Sequence, residues 1–238
     1  NNTIDVDGKL YDEQDVKNTI TSFYQFDAST RIKVVNLERR KDRKESMEKL
    51  LTKHNLIDCA DFVKAVDGKL LEPTDELREL VKNLDNKGLP VVGCALSHKQ
   101  LWDDIINDDL YNNYLVLEDD IDVNDNFKFM LCQLLKILHE KNDWDIVYLG
   151  NHMYPRQREL YEQKVKNVIP LSIIPYDTKL TIGSTEAYII NKSGAKKLVD
   201  LWDDIKLSHG IDYQMFHYAD RINLLHYEVV PKLTHSEF

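Results

Sequence analysis

The feature that most constrains this chain is a texture that begins at Ile32. Short apolar runs there alternate with segments whose apolar residues recur at helical spacing. Strand, crossover helix, strand is the pattern that builds a mostly parallel sheet with helices on its faces. Residues 32–37 read as a first strand, and residues 39–54 as its crossover helix, with Met47, Leu50, Leu51 and His54 on one face. A second strand at 62–66 ends at Asp67-Gly68, and a helix begins near Gly93. Further strands are predicted at 114–117, 144–149, 168–174, 187–190 and 224–230, with helices at 127–138, 193–205 and 213–219. The pentapeptide Leu-Trp-Asp-Asp-Ile occurs at 101 and at 201 with unlike flanks, a coincidence of two amphipathic helices rather than a repeat.

With 238 residues, 42% of them hydrophobic, the chain has material for one large α/β domain. Residues 1–30 read as an acidic extension in which Ile20, Phe23, Tyr24 and Phe26 space a short docking helix, and residues 31–238 as the domain itself. Asp5-Val6-Asp7-Gly8 lacks the ligands of a calcium loop and reads as a turn. A net charge of −10 repels phosphate backbones and anionic lipid, so no nucleic-acid partner is expected. No run approaches the roughly 20 apolar residues of a membrane span, and no signal peptide is visible, which favours a cytoplasmic placement. Three scattered cysteines, Cys59, Cys94 and Cys132, make neither a disulfide framework nor a zinc knuckle and read as buried apolar residues. Gly88 and Gly93 have Walker A spacing, but Cys94 and Ala95 stand where Lys and Ser/Thr must grip phosphate.

Two turns carry the chemistry. The apolar run at 114–117 leads directly into Glu118, Asp119, Asp120 and, one residue on, Asp122. Carboxylates so crowded repel, and a hard divalent cation, Mn²⁺ or Mg²⁺, neutralises them at the end of a strand, where open α/β sheets bind ligands. The alternative is a solvated acidic turn. Residues 34–37 likewise end in Arg39, Arg40, Lys41 and Arg43 at the start of a helix, where positive charge opposes the helix dipole. A bound polyanion explains that arrangement; a solvated basic turn paired with Glu38 and Asp42 is the bland counterpart. A phosphate-seeking turn beside a cation-binding turn suits a metal-bound nucleoside diphosphate.

Four motifs in order then resemble glycosyltransferase family 25, which contains bacterial lipooligosaccharide glycosyltransferases and procollagen galactosyltransferases. They are Val34-Val35-Asn36-Leu37-x-Arg39-Arg40-x-Asp42-Arg43, Gly93-Cys94-x-Leu96-Ser97-His98-x-x-Leu101-Trp102, Leu117-Glu118-Asp119-Asp120 with Val123, and Ala187-Tyr188-x-Ile190 with Gly194-Ala195-x-x-Leu198. The resemblance spans residues 32–235. It implies a GT-A fold, a single Rossmann-like domain with a mostly parallel mixed sheet flanked by helices. It also implies a metal-dependent inverting hexosyltransferase that uses a UDP-sugar donor and a protein or saccharide hydroxyl acceptor. Hydroxylysine of collagen-like protein and a lipopolysaccharide core sugar are the two precedents, with galactose or glucose as the hexose and a homodimer left open.

Position by position, the resemblance makes Asp120 the direct metal ligand, with Glu118 nearer the ribose or a metal-bound water, Asp119 among the nucleotide-binding residues and Asp122 further out. His235 matches a late ligand that favours manganese. Asn36, Leu37, Arg39 and Arg43 would face the nucleotide, Asp67 and Gly68 the nucleoside edge, and Ser97 and His98 the donor, although His98 also suits a satisfied core histidine. Asp212 is the candidate base, with helix capping as its alternative. Ser184 replaces a common glycine and no proline precedes Asp212, so the acceptor side departs from the pattern. A catalytically silent scaffold and a nucleotide hydrolase are the rival functions.

Overall fold

Asp7 and Gly8 both take positive φ, 51° and 79°, which is what a two-residue Asp-Gly hairpin requires and what glycine permits without strain. They join β1 (Thr3–Val6) to β2 (Lys9–Asp12), and Asp12 caps α1 (Glu13–Phe23) by accepting the Gln14 and Asp15 N–H groups. The structure, a computed structural model, describes residues 3–150, 152–153, 155–168, 171–182 and 184–236. Phe23 and Tyr24 rest on Phe129, with ring centroids 6.5 and 5.4 Å apart, while Ile20 stays exposed.

The main sheet begins with β3 (Thr30–Asn36), followed by α2 (Lys41–Lys53), β4 (Ala60–Lys64), a short α3 (Asp75–Leu80) and the long α4 (Leu89–Asn107). Pro90 in its first turn starts α4 four residues before the expected Gly93, at a place where a missing N–H costs nothing. Next come β5 (Asn113–Glu118), β6 (Ile121–Val123), α5 (Phe127–Lys141), β7 (Ile146–Tyr148), β8 (His152–Met153), α6 (Arg158–Val165), β9 (Ser172–Pro175) and β10 (Thr181–Ile182). The chain ends with β11 (Ala187–Asn191), α7 (Lys192–Ile205), α8 (Ile211–His217), β12 (His226–Val230) and β13 (Thr234–Ser236). The strand expected at 168–174 is thus β9; residues 169 and 170 lie outside the described residues.

Seven strands form one mixed sheet in the order β4-β3-β5-β11-β7-β12-β9. The β4/β3, β3/β5 and β7/β12 pairs are parallel and the other three antiparallel, so parallel pairing makes up half of the sheet rather than most of it. The reason is β11, which enters between β5 and β7 in the opposite sense, and β9, which closes one edge. Alternate residues of each strand divide the core. Val35, Tyr114, Val116, Tyr188 and Ile190 face α4, α7 and α8, whereas Ile32, Val34, Leu115, Leu117 and Ile189 face α2 and α5. The twin pentapeptides put Trp102 and Trp202, both fully buried, on α4 and α7, which pack against each other.

This topology positions the site. The loop leaving β3 turns to α2 on one face, and the loop leaving β4 leads to α4 on the other, so a crevice opens beyond the carboxyl ends of β3, β4 and β5. Among the described residues no helix is long and apolar enough to cross a membrane.

Candidate functional site

The crevice is a cleft with a volume of about 180 Å³. It is walled by Leu37, Arg39 and Arg43 from the basic turn, Asp67, Gly68 and Lys69 after β4, Cys94, Ser97 and His98 on α4, and Glu118, Asp119 and Asp120 after β5. Parallel pairing of β3 with β5 sets Val35 opposite Glu118, which makes the basic and acidic turns neighbours. Arg43 joins them: its Nη1 lies 2.9 Å from Asp119 Oδ1 and 2.9 Å from Asp120 Oδ2. One helical turn separates Arg43 from buried Met47, so α2 aims the guanidinium inward over the strand ends.

Asn36 does not line this cleft. It is buried, donates from Nδ2 to Asp119 Oδ2 at 2.6 Å and to the Arg40 carbonyl at 3.3 Å, and so ties the two turns together from beneath. Arg39 donates to Asp67 at 2.5 Å, across the cleft mouth. Arg40 is spent on Asp42, holding that carboxyl down at about 2, and Glu38 pairs with Lys64, so this outer part of the basic turn fits the bland reading.

The Asp67-Gly68 loop sits hard against α4. A Cβ on Gly93 would lie 2.7 Å from Gly68 N and from the Val66 carbonyl oxygen, and one on Gly68 would lie 2.3 Å from the Leu89 carbonyl oxygen. Ser97, almost fully buried, completes the join: its Oγ accepts the Val66 N–H at 2.8 Å and donates to the Gly93 carbonyl at 2.7 Å. Its polar atom is consumed in holding the loop.

His98 belongs to a buried chain whose proton positions follow from two facts: an indole can only donate, and the Glu118 carboxylate at the other end can only accept. Trp102 Nε1 donates to the Tyr188 hydroxyl at 3.0 Å, so the Tyr188 proton goes to His98 Nδ1 at 2.8 Å. His98 then carries its proton on Nε2, which donates to Glu118 Oε1 at 3.3 Å, and the Thr185 hydroxyl donates to the same oxygen at 2.5 Å. His98 is thus a satisfied core histidine, and it also lines the cleft. Sequence reasoning passed over Thr185 and Tyr188 as site residues, although Tyr188 stands within a quoted motif.

Electrostatically the site is short of positive charge. Burial pushes the Glu118 carboxyl up, but the bonds from His98 and Thr185 and the charge of Arg43 outweigh it and leave it below its ordinary range. Asp120 is held above the usual range by burial and by the charges of Glu118 and Asp119, against the pull of Arg43. Three carboxylates thus share one guanidinium, and oxygen donors with unmet negative charge fit a hard divalent cation. The cysteine expectation needs correction. Cys132 is buried, but Cys59 and Cys94 are only partly so, because Cys94 faces the crevice rather than a packed layer. Burial still pushes the Cys94 thiol up to about 12, helped by the charges of Glu118, Asp212 and Asp120.

The remaining predicted residues, Asp122, His235 and Asp212, do not line the cleft. Asp122 and His235 stand opposite each other in the ribbon β6–β13, both exposed, just beyond the acidic turn. Asp212 lies in the first turn of α8, half-buried; Gly210, not Asp212, is the cap residue, and Asp212 Oδ1 accepts the Tyr213 N–H at 2.7 Å. Among the described residues, the one group of ligand atoms that converge within 4.8 Å is Cys94, His98 and Glu118.

Comparison with known proteins identifies relatives of this chain. The model of Glycosyltransferase family 25 (LPS biosynthesis protein) matches residues 29–215. A protein of Acanthamoeba polyphaga mimivirus named as a glycosyltransferase is 33% identical over 176 residues, covering 71% of this chain and 52% of its own. Human procollagen galactosyltransferase 2 is 33% identical over 177 residues, covering 70% and 26%. A Bos taurus member of the family, 28% identical over 181 residues and covering 70% and 28%, is named as inactive. The chain therefore spans about half the length of the viral relative and about a quarter of the human one. Mouse xyloside xylosyltransferase 1 covers 87% of this chain and 76% of its own at 11% identity, with a TM-score of 0.40. The family model covers most of the chain, including both turns and α4, and on that ground the chain belongs to glycosyltransferase family 25.

Proposed function

We propose that this chain transfers a hexose, galactose or glucose, from a UDP-sugar to a hydroxyl of a protein or saccharide acceptor, with inversion at the anomeric carbon. The observation that carries this reading is Arg43, which bridges the basic turn after β3 and the acidic turn after β5 at one cleft mouth. A diphosphate needs cations on one side and a metal on the other, and the two turns that Arg43 joins would supply both. Asp120 and Glu118 would hold Mn²⁺ or Mg²⁺, with Asp122 and His235 next in reach on the adjoining ribbon. When bound, the metal offsets the charge that grows on the departing diphosphate.

The chain's own residues do the rest. Arg43 and Arg39 meet the phosphates by loosening their present carboxylate partners, and Leu37, Asp67 and Gly68 border the nucleoside. Asp212 takes the acceptor's hydroxyl proton as the oxygen attacks the anomeric carbon and UDP leaves with the bonding pair. α8, which carries Asp212, packs against α4, one wall of the cleft. The two acceptor precedents, collagen-like protein and lipopolysaccharide core, are both consistent with the family; the procollagen galactosyltransferases among the relatives favour the first.

The second reading is a silent relative that keeps the fold as a binding module. It is favoured by internal ion pairs that already occupy Arg39 and Arg43, and by the bovine family member named as inactive. UDP-hexoses tested for thermal stabilisation with and without Mn²⁺, followed by UDP release, separate the two. Transfer predicts metal-dependent stabilisation and acceptor-stimulated UDP release, both lost in Asp120→Ala. Binding without release supports the silent module, and acceptor-independent release a hydrolase.

A further inference from the structure

α4 carries Cys94 and His98 four residues apart, so their side chains share one helical face, and that face looks onto the end of β5, where Glu118 stands. A thiol sulfur, an imidazole nitrogen and a carboxylate oxygen come within 4.8 Å of one another on the cleft floor. Metal–ligand distances of about 2.0–2.3 Å place neighbouring tetrahedral ligands about 3.3–3.7 Å apart. The His98 Nε2 to Glu118 Oε1 distance is 3.3 Å, already the separation a tetrahedral centre demands. The sulfur must close by about 1 Å at most, a modest rotation of one side chain. Cys94 is partly exposed to the cleft, which leaves an open side for a fourth ligand.

We propose that Cys94, His98 and Glu118 form a binding site for a thiophilic divalent cation of the Zn²⁺ class, which shares Glu118 with the acidic turn that suits Mn²⁺ but differs from it in donor set. The donor set decides the class: sulfur and imidazole select borderline-soft metals, whereas Asp120 and its neighbours offer oxygen alone. Binding is an exchange of one proton for one metal. The Cys94 S–H bond breaks, its proton leaves to solvent and a sulfur–metal bond forms. His98 moves its proton from Nε2 to Nδ1 and gives the metal the freed lone pair, while Glu118 exchanges the N–H for the metal. The Tyr188 oxygen then receives N–H groups from both Trp102 and His98, so the buried chain resists the metal in proportion to what the Tyr188 hydroxyl proton loses.

The consequence for the cleft rests on the proposed function: a cation bound to Glu118 from the α4 side blocks nucleotide that uses the same carboxylate, which makes the site inhibitory. The metal site itself does not depend on that reading. The test is titration of the reduced, metal-free chain with Co²⁺ as spectroscopic probe, and with Zn²⁺ in competition. One equivalent bound, with a thiolate-to-cobalt charge-transfer band in the near ultraviolet, is the expected result. Cys94→Ser should abolish the band and weaken Zn²⁺ at least tenfold, whereas Cys59→Ser and Cys132→Ser should leave both unchanged. Tyr188→Phe removes the oxygen that takes the His98 Nδ1–H in the metal-bound state, so it should weaken Zn²⁺ while leaving the charge-transfer band in place. A band that survives Cys94→Ser, or one that is lost in Tyr188→Phe, overturns the assignment. If Zn²⁺ binds as described while UDP binds under no condition, the nucleotide reading fails and the metal site stands.

Discussion

Asp119 sits at the joint of the two turns, and its removal gives the most direct measure of whether that joint carries energy. Its side chain is 8% exposed and accepts Asn36 Nδ2 at 2.6 Å and Arg43 Nη1 at 2.9 Å. Hydrogen bonds to a charged group contribute about 1.5–3 kcal/mol each, but the Arg43 side chain is 32% exposed and keeps Asp120 as a partner, which lowers its share. Asp119→Ala should therefore cost about 3 kcal/mol and Arg43→Ala about 2 kcal/mol. At about 2–4 °C per kcal/mol for a chain of this length, the first should lower the melting temperature by roughly 6–12 °C. The assay is urea unfolding of both single variants and the double variant, read as a cycle. A coupling of about 1 kcal/mol or more is expected, because each variant removes the same contact. Additivity within about 0.5 kcal/mol would show that Arg43 and Asp119 are neighbours without being partners, and the cleft would lose the element that defines its mouth.

Asp212→Asn should lower transfer about 10²–10⁴-fold with little change in UDP-sugar affinity; an unchanged turnover number under saturating donor and acceptor removes Asp212 as the base. Gly93→Ala should destabilise by roughly 2–3 kcal/mol, although alanine is the better helix former, because the new Cβ meets Gly68 N and the Val66 carbonyl at 2.7 Å. Gly88→Ala, with nothing nearer than 3.9 Å, should cost less than about 1 kcal/mol in the same urea titration. Asp61 is held well below the ordinary carboxylate range by the Arg31 hydrogen bonds and by Lys33, against burial, so its contribution is present above the unfolded pKa. Asp61→Asn should then cost about 1 kcal/mol at pH 7, an amount limited by its partial exposure. The gap to the parent should narrow as pH falls below about 4 toward the lowered folded value. A gap that widens with acid contradicts the sign.

Much of this molecule is written in residue order alone. The apolar runs that became β3, β5 and β11 and the stripes on α2, α4, α5 and α7 are readable because a strand alternates every two residues and a helix returns every 3.6, whatever surrounds them. The basic and acidic turns are readable for a related reason: like charges packed together cost energy locally, and that cost shows before any fold is known. Pairing between distant segments is a different matter. That β11 would enter antiparallel, that His235 would face Asp122, and that Asn36 would support the acidic turn instead of lining the cleft all depend on contacts spanning tens to more than a hundred residues. The tautomer of His98 depends on an indole and a phenol that local pattern treats as core, and Cys94 counts as a ligand candidate only because α4 lies across the end of β5. Local periodicity names the elements and their charges; proton positions and ligand geometry are decided by which strand ends the tertiary packing brings within bonding distance.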